Sequence, residues 1–163
     1  MTHASHMRLL ICAEKAHTGN KAEIKFTATL SESSINDESF GVRWVCVQAD
    51  SMESPPPPSP SPPGVWDASI QVDVFPGAEN SWRGIEGTSL EVTSCGSLGY
   101  MLGGYNVLGK GAGVEKTFDT RSPHTHLRVT FTFLRVDSWD DEHAYLFIDD
   151  KEAWDSGPLS HKN

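Results

Sequence analysis

Short runs of alternating apolar and polar residues recur along the chain, separated by clusters of Gly, Asn, Asp and Ser. Residues 24–30, 69–74 and 128–133 alternate in this way, whereas residues 144–148 form a more continuous apolar run. Alternation with a period of two residues places apolar side chains on one face of a β-strand. No amphipathic pattern of three or more helical turns appears. The sequence therefore predicts an all-β fold, an antiparallel β-sandwich.

A proline-serine segment divides the chain. Residues 55–63 read PPPPSPSPP, and proline cannot join the interior of a sheet because it has no backbone N–H to donate. The segment is expected to form a polyproline II rod of roughly 28 Å, at 3.1 Å per residue. The simplest interpretation is a stiff spacer. The alternatives are a ligand for an aromatic groove and a site of hydroxyproline glycosylation.

This segment sets the expected domain organisation. Residues 1–7, which end in Ser5-His6-Met7, are typical of an expression scar and are left out of the fold prediction. Residues 8–50 form one half of the sandwich, residues 51–64 form the proline-serine-rich linker, and residues 65–163 form the other half.

Composition and charge narrow the classes of partner. The 163 residues include 13 Lys and Arg against 22 Asp and Glu, a formal net charge of −9. A general nucleic-acid binder needs a basic surface, so no nucleic-acid partner is expected. No run of about 18 apolar residues occurs, so no membrane insertion is expected. A hydrophobic content of 37% is enough to build one core.

The three cysteines do not form a dense disulfide framework. No C-x-x-C pair occurs, which argues against a zinc ribbon. Cys46 lies in the strand-like run RWVCV and is expected to be a buried free thiol. A disulfide between the remaining two, Cys12 and Cys95, is therefore predicted.

Two acidic clusters carry the candidate chemistry, each between two predicted strands. Residues 36–41 read NDESFG and residues 137–142 read DSWDDE. Calcium takes six to eight oxygen ligands from carboxylates, carbonyls and water. Each cluster alone is typical of a solvated turn, whereas the two together favour a shared calcium site. Neither has the spacing of an EF-hand loop.

The sequence gives weaker support for a catalytic site or a histidine metal site. Asp140 and Glu142 could form an acid/base pair as in glycoside hydrolysis, but they lie in one predicted loop and nothing in the sequence marks a cleft. His124, His126 and His143 could bind a metal with Asp137, although histidines that are exposed or satisfied within the fold are the commoner outcome. The sequence has no G-x-S-x-G elbow and no phosphate-binding loop, and the Gly-rich tract 96–113 is interpreted as tight turns. We therefore expect no enzyme.

Several of these segments together resemble a known module. They include SCGSLG (94–99), LGGYNVLGKG (102–111), DSWDDE (137–142) and YLFID (145–149). They are similar to a module repeated in secreted and surface proteins of ciliates and green algae, itself similar to galactose-binding-like jelly-roll domains. The proline-serine segment resembles the hydroxyproline-rich glycoproteins of volvocine algae. The resemblance covers most of residues 66–155 and recurs at 23–47.

The order of the segments departs from that module. The segment at 24–42, which closes the module, here precedes the proline-serine segment, and the opening strand near Trp66 follows it. The chain therefore resembles a circular permutant whose natural ends are joined by the proline-serine segment, or a fragment cut from a tandem array. In either case the two halves are expected to fold together, within one chain or as a domain-swapped dimer.

The resemblance also implies which residues meet. Loops from distant positions converge at one end of a jelly roll, which implies that the acidic clusters surround one calcium ion. Asp137, Asp140 and Glu38 are the first choices as side-chain ligands, followed by Asp37 and Asp141.

The resemblance implies a function as well. We expect a calcium-binding extracellular module, secreted or at the cell surface, that serves adhesion or assembly of a surface, matrix or flagellar structure, with a protein or glycan partner. The alternative is a lectin-like module in which Trp139 or Tyr105 stacks on a sugar. Trp139 could instead cover the core, and Trp44, Trp66 and Trp154 are expected to pack in the core or at strand edges. A hydrolase is the least supported reading.

Overall fold

The fold is an antiparallel β-sandwich, as the alternating pattern predicts. The computed structural model describes residues 6–35, 37–50, 70–120 and 123–160, and of His6 it describes the backbone. The polyproline II rod predicted at 55–63 lies outside the described residues, as do Trp66 and residues 1–5 of the segment 1–7 predicted to be an expression scar. The last two residues of that segment are part of β1, so their exclusion from the fold prediction is wrong. The described strands are β1 (His6–Ala16), β2 (Lys21–Ala28), β3 (Glu38–Ala49), β4 (Gln71–Asp73), β5 (Arg83–Gly84), β6 (Val92–Ser94), β7 (Tyr100–Gly103), β8 (Gly113–Asp119), β9 (His126–Asp137), β10 (Asp140–Glu142), β11 (Ala144–Ile148), β12 (Lys151–Asp155) and β13 (Leu159–Ser160).

Two main sheets form the sandwich. One has the order β1-β9-β3-β7-β6, with β4 pairing on β3, and the other has the order β12-β11-β2-β8-β5. A small third sheet joins β10 to β13. Short 3-10 turns at Glu79–Ser81, Ile85–Gly87 and Gly96–Leu98 lie in the connections.

The two predicted halves of the chain interleave in both main sheets. In the larger sheet, β9 lies between β1 and β3. In the five-stranded sheet, β2 lies between β8 and β11. The strands that precede the proline-serine segment therefore share one core with the strands that follow it.

Alternation fills that core on β2 and β9 as the sequence predicts, whereas the alternating run 69–74 buries its aspartate and leaves its two valines exposed. Ile24 and Phe26 on β2 and Phe131 and Phe133 on β9 are fully buried. The rings of Phe26 and Phe131 lie 4.8 Å apart between centroids and connect the two sheets. Burial of an aromatic or branched side chain of this size stabilises the fold by roughly 1.5–3 kcal/mol.

A β-bulge interrupts the alternation on β3. Arg43 lies opposite Thr132 and Cys46 opposite Thr130, so two residues of β3 face one residue of β9. Val45 of the bulge is fully buried, whereas Trp44 is 39% exposed and has a φ of 51°. A left-handed conformation costs a residue with a Cβ roughly 1–2 kcal/mol. The expected packing of Trp44 in the core or at a strand edge is therefore wrong, because the bulge turns its ring to solvent.

The cysteines are free thiols in the structure. Cys12 is exposed, Cys95 is half-buried and Cys46 is buried. Cys12 lies on β1 and Cys95 directly follows β6, and these strands are the opposite edges of the larger sheet. Four strand spacings separate the two edges, about 19 Å in all, whereas a disulfide needs its Cα atoms within roughly 7 Å. The bridge predicted between Cys12 and Cys95 is therefore not formed.

Candidate cation site

The two acidic clusters meet at one end of the sandwich. Glu38, the first residue of β3, lies directly opposite Asp137, the last residue of β9. The neighbouring loop residues are also joined, since Ser138 donates its backbone N–H to the Asp37 carbonyl at 3.2 Å and its hydroxyl to Asp37 Oδ1 at 2.8 Å. The structure thus brings together two segments that lie about a hundred residues apart in the chain.

Two glutamates form the buried part of this end. Glu38 shares the inner face of β3 with Phe40, two residues on, and is 1% exposed. Glu142 is 6% exposed and lies two residues before the buried Ala144. Their carboxyl groups interact with each other, and this interaction opposes the ionisation of Glu38. The site therefore holds two acids of like charge that are shielded from water.

Ser31 connects the two carboxyl groups. Glu38 Oε2 accepts the backbone N–H groups of Ser31, at 2.9 Å, and Glu32, at 3.0 Å. The Ser31 hydroxyl donates to Glu142 Oε1 at 3.1 Å, and Asp140 donates its backbone N–H to Glu142 Oε2. Glu38 Oε1 is buried and accepts no hydrogen bond from the residues that the structure describes. This carboxyl group therefore has one oxygen without a donor among the described residues and interacts with a second acid.

This environment raises the pKa of Glu38. Burial is the largest cause, because it removes water from the charged form. The neighbouring Glu142 raises the pKa further, whereas the N–H groups of Glu32 and Ser31 lower it. A proton or a cation between the two carboxyl groups would relieve the same unfavourable charge.

The predicted side-chain ligands do not gather as expected. Asp37, Asp140 and Asp141 are exposed, and Asp137 is half-buried. Among the described residues, no three His, Cys, Asp or Glu side chains are grouped so that they could hold a metal ion. Glu38 remains at the centre, and its buried acidic partner is Glu142, which the sequence singled out only as a candidate acid or base.

Trp139 explains how this loop is held. Its ring is fully buried and lies 5.9 Å from Phe133 between centroids. Its indole N–H donates to the Ser39 carbonyl at 3.0 Å, and its backbone N–H to the Asp137 carbonyl at 3.2 Å. Trp139 thus covers the core and fixes the loop against β3. The sugar-stacking role considered for Trp139 is wrong, since it has no face free for a ligand. Tyr105, the other stacking candidate, is 47% exposed.

The histidines do not gather around Asp137. His124 Nε2 lies 2.7 Å from His17 Nδ1, and His143 Nδ1 lies 2.7 Å from Asp155. His126 lies 3.5 Å from Asp50. The metal set considered for these histidines is therefore not formed, because each ring has a separate partner in its own part of the fold.

The comparisons with known proteins add no relationship. The chain has no match among protein-family models, curated proteins or solved structures. In the part of the chain that the structure describes, no helix has the length and apolar character needed to cross a membrane.

Proposed function

We propose that this chain is a calcium-binding extracellular β-sandwich module that serves adhesion or assembly of a cell surface, matrix or flagellar structure. Glu38 and Glu142 are the carboxylate ligands of the ion. The observation that carries this proposal is the buried Oε1 atom of Glu38, which accepts no hydrogen bond from the described residues while its carboxyl group interacts with a second acid.

The chemistry of the pair favours a cation. Two carboxylates in a shielded site cannot both remain charged unless a positive charge lies with them. Calcium suits such a site because it accepts carboxylates, backbone carbonyls and water in a flexible geometry. Two side-chain ligands leave the remaining positions to carbonyls of the surrounding loops and to water.

The proposed ion acts on structure. Glu38 begins β3, and Glu142 ends β10 just before β11, so an ion shared by them ties the segment 31–35 and the start of β3 to the segment 137–142. The two acids are almost completely enclosed, which suits a structural ion better than a reacting centre. An ion that binds the folded state alone raises its stability by mass action. A firm loop end is what a module requires when it presents this surface to a neighbour.

The surface role rests on the resemblance to secreted and surface modules of ciliates and green algae. The proline-serine segment at 55–63 and the net charge of −9 agree with an extracellular module that carries bound cations. The partner is a protein or a glycan of the surface or matrix.

Thermal unfolding tests the site. Calcium should raise the Tm of the wild-type chain relative to EDTA, by an amount that grows with the calcium concentration. Glu38→Gln and Glu142→Gln should each remove the response, because each keeps the shape of the side chain and deletes one charged ligand. Asp141→Asn is the matched control, since Asp141 is an exposed acid of the same loop and should keep the response. Identical wild-type melting curves in calcium and in EDTA would contradict the proposal.

A further inference from the structure

A groove crosses the outer face of the larger sheet, on the side away from the core. It has a volume of about 270 Å³, and its walls include Arg8 and Leu10 of β1, Thr132 of β9, Arg43 and Trp44 of β3, and Val74 after β4. Leu10, Thr132 and Arg43 are directly opposite one another across three adjacent strands. We call this feature the Trp44 groove.

The backbone of Trp44 has a conformation that is unfavourable for a residue with a large side chain. The β3 bulge gives Trp44 a φ of 51° and leaves 39% of the residue exposed. A bulky residue in the left-handed region is an outlier, and such residues concentrate at functional sites. The bulge thus turns toward solvent a large aromatic ring that the regular strand would have placed elsewhere.

The charge of the groove is opposite to that of the protein. The chain carries a net charge of −9, yet two arginines line this groove. Neither Arg8 nor Arg43 forms an ion pair with an acidic side chain of the described residues. Arg43 is oriented by a hydrogen bond from its Nη1 atom to the Leu98 carbonyl. The groove therefore combines an aromatic face with two cations that have no acidic partner among the residues that the structure describes.

We propose that the Trp44 groove binds a sugar ring that carries an anionic group, a carboxylate or a sulfate. The indole face of Trp44 stacks on the C–H face of the ring, since an aromatic side chain offers a large, rigid apolar surface. The guanidinium groups of Arg8 and Arg43 receive the anionic group, because the arginine fork matches planar or tetrahedral oxyanions. The volume lies just below the range of sites for drug-sized ligands, which suits one ring of a chain that continues along the sheet.

This inference goes beyond the proposed calcium site and does not depend on it. The groove lies on the outer face of the sheet, whereas Glu38 is on the inner face at the end of β3. Binding in the groove should accordingly persist in EDTA and in the Glu38→Gln variant.

Equilibrium binding to defined polysaccharides tests the inference. The probes are polygalacturonate for the carboxylate, dextran sulfate for the sulfate and unmodified dextran as the neutral reference. A synthetic peptide with the sequence of residues 55–63 is a fourth probe, because proline-rich segments also dock on aromatic grooves. Intrinsic tryptophan fluorescence and biolayer interferometry provide two independent readouts.

Trp44→Asn is the decisive variant. Asparagine tolerates a positive φ and carries no charge, so this variant should fold and should preserve any purely electrostatic attraction. The wild-type chain should bind at least one anionic polysaccharide more tightly than dextran, and Trp44→Asn should weaken that binding about 30-fold or more. Arg8→Gln should weaken it about 3- to 10-fold and reduce its dependence on salt. Tyr100→Ser is the control, since Tyr100 is an exposed aromatic residue outside the groove and should bind as the wild type does.

Three outcomes would overturn the inference. The first is absence of binding to both anionic polysaccharides at millimolar sugar. The second is binding that Trp44→Asn leaves unchanged, which would show a general attraction between charges. The third is Trp44-dependent binding of the proline-rich peptide alone, which would assign the groove to the proline-serine segment of this chain. Preference for polygalacturonate or for dextran sulfate identifies which anionic group the groove accepts.

Discussion

Two buried acids, Asp73 and Glu38, differ in how far the chain itself stabilises a carboxylate that is shielded from water. Asp73 of β4 is 2% exposed, and Lys116 of β8 approaches it to 2.6 Å. The indole N–H of Trp82 donates to the same oxygen of Asp73 at 2.8 Å, and the amide of Gln71 donates to the other at 2.7 Å. Both carboxylate oxygens of Asp73 therefore accept hydrogen bonds from side chains of this protein, and Lys116 supplies the opposite charge.

Glu38 at the other site forms no ion pair with a Lys, Arg or His of the described residues. It is as deeply buried as Asp73, yet its hydrogen bonds come from two backbone N–H groups and its close ionisable neighbour is another acid, Glu142. The contrast indicates that the first site is complete in the folded chain, whereas the second is completed by a proton or by a cation from solution.

The largest predicted effect comes from removing the lysine that neutralises Asp73. Lys116→Met should lower the free energy of unfolding by about 3–5 kcal/mol, because it leaves Asp73 charged and buried without its partner. Urea denaturation followed by tryptophan fluorescence measures the loss.

The double variant Lys116→Met/Asp73→Asn provides the control. Asparagine keeps an oxygen for the Trp82 indole and removes the charge, so most of the lost stability should return. A double variant as unstable as Lys116→Met alone would show that the lysine stabilises by packing over Phe118, where its Nζ lies 4.8 Å from the ring centroid, and that its charge contributes little.

The contrast between the two sites also shows what could be predicted from the sequence. Alternation identified the strands that hold Ile24, Phe26 and Phe131 in the core, because burial of one face of a sheet leaves a period of two in the sequence. The meeting of the two acidic clusters was expected as well, though from a resemblance and not from the spacing of residues. Such features follow from patterns that extend over several residues.

Single pairings and irregular backbone could not be predicted in this way. Asp73 and Lys116 are 43 residues apart and neither lies in a motif. The run RWVCV has the sequence of a regular strand, and nothing in it marks the β-bulge that exposes Trp44. A second irregularity between Asp140 and Glu142 decides which acid of DSWDDE turns inward. One extra residue in a strand reverses the faces of the residues that follow, and the sequence pattern does not mark where it occurs.

The second prediction concerns a third acid, which is satisfied by hydrogen bonds with little help from a cation. Burial raises the pKa of Asp50, but hydrogen bonds from the Thr125 hydroxyl and from the backbone N–H groups of His126 and Thr125 lower it to about 2. Asp50→Asn should cost about 2 kcal/mol at pH 7, since the ordinary value is 3.8. The folded-state pKa is the lower one, so this stability is present above about pH 4 and is lost as the pH falls toward 2. Urea denaturation at pH 7 and at pH 2.5 measures both parts.

The third prediction exchanges a carboxylate for an amide at both contrasted sites. In EDTA at pH 7, Glu38→Gln should stabilise the fold by about 1 kcal/mol, because it removes the charge and its NH₂ group can donate to Glu142. Asp73→Asn should destabilise the fold under the same conditions, since Lys116 loses its anion. Opposite signs support the contrast, whereas destabilisation by both variants would show that Glu38 is already satisfied within the chain.

The fourth prediction has the smallest effect and concerns the pH dependence of Glu38. Its pKa in the folded state is raised above the ordinary value of 4.5, so the folded chain binds more of this proton than the unfolded chain does above that pH. Stability contributed by this group should therefore fall as the pH rises from 4.5 through the raised pKa. The Tm of the wild type minus that of Glu38→Gln, measured in EDTA from pH 4 to pH 7.5, isolates this group from Asp50 and the other acids.

Calcium should reverse the pH dependence of that Tm difference. The proposed ion would bind the deprotonated pair, so its stabilising effect should grow with pH as the proton leaves. In calcium the Tm difference should rise across the same interval in which it falls in EDTA. A difference that falls equally in both solutions would mean that a proton alone satisfies the two glutamates, and the loop end would then be a site that loosens as the pH rises, with no bound ion.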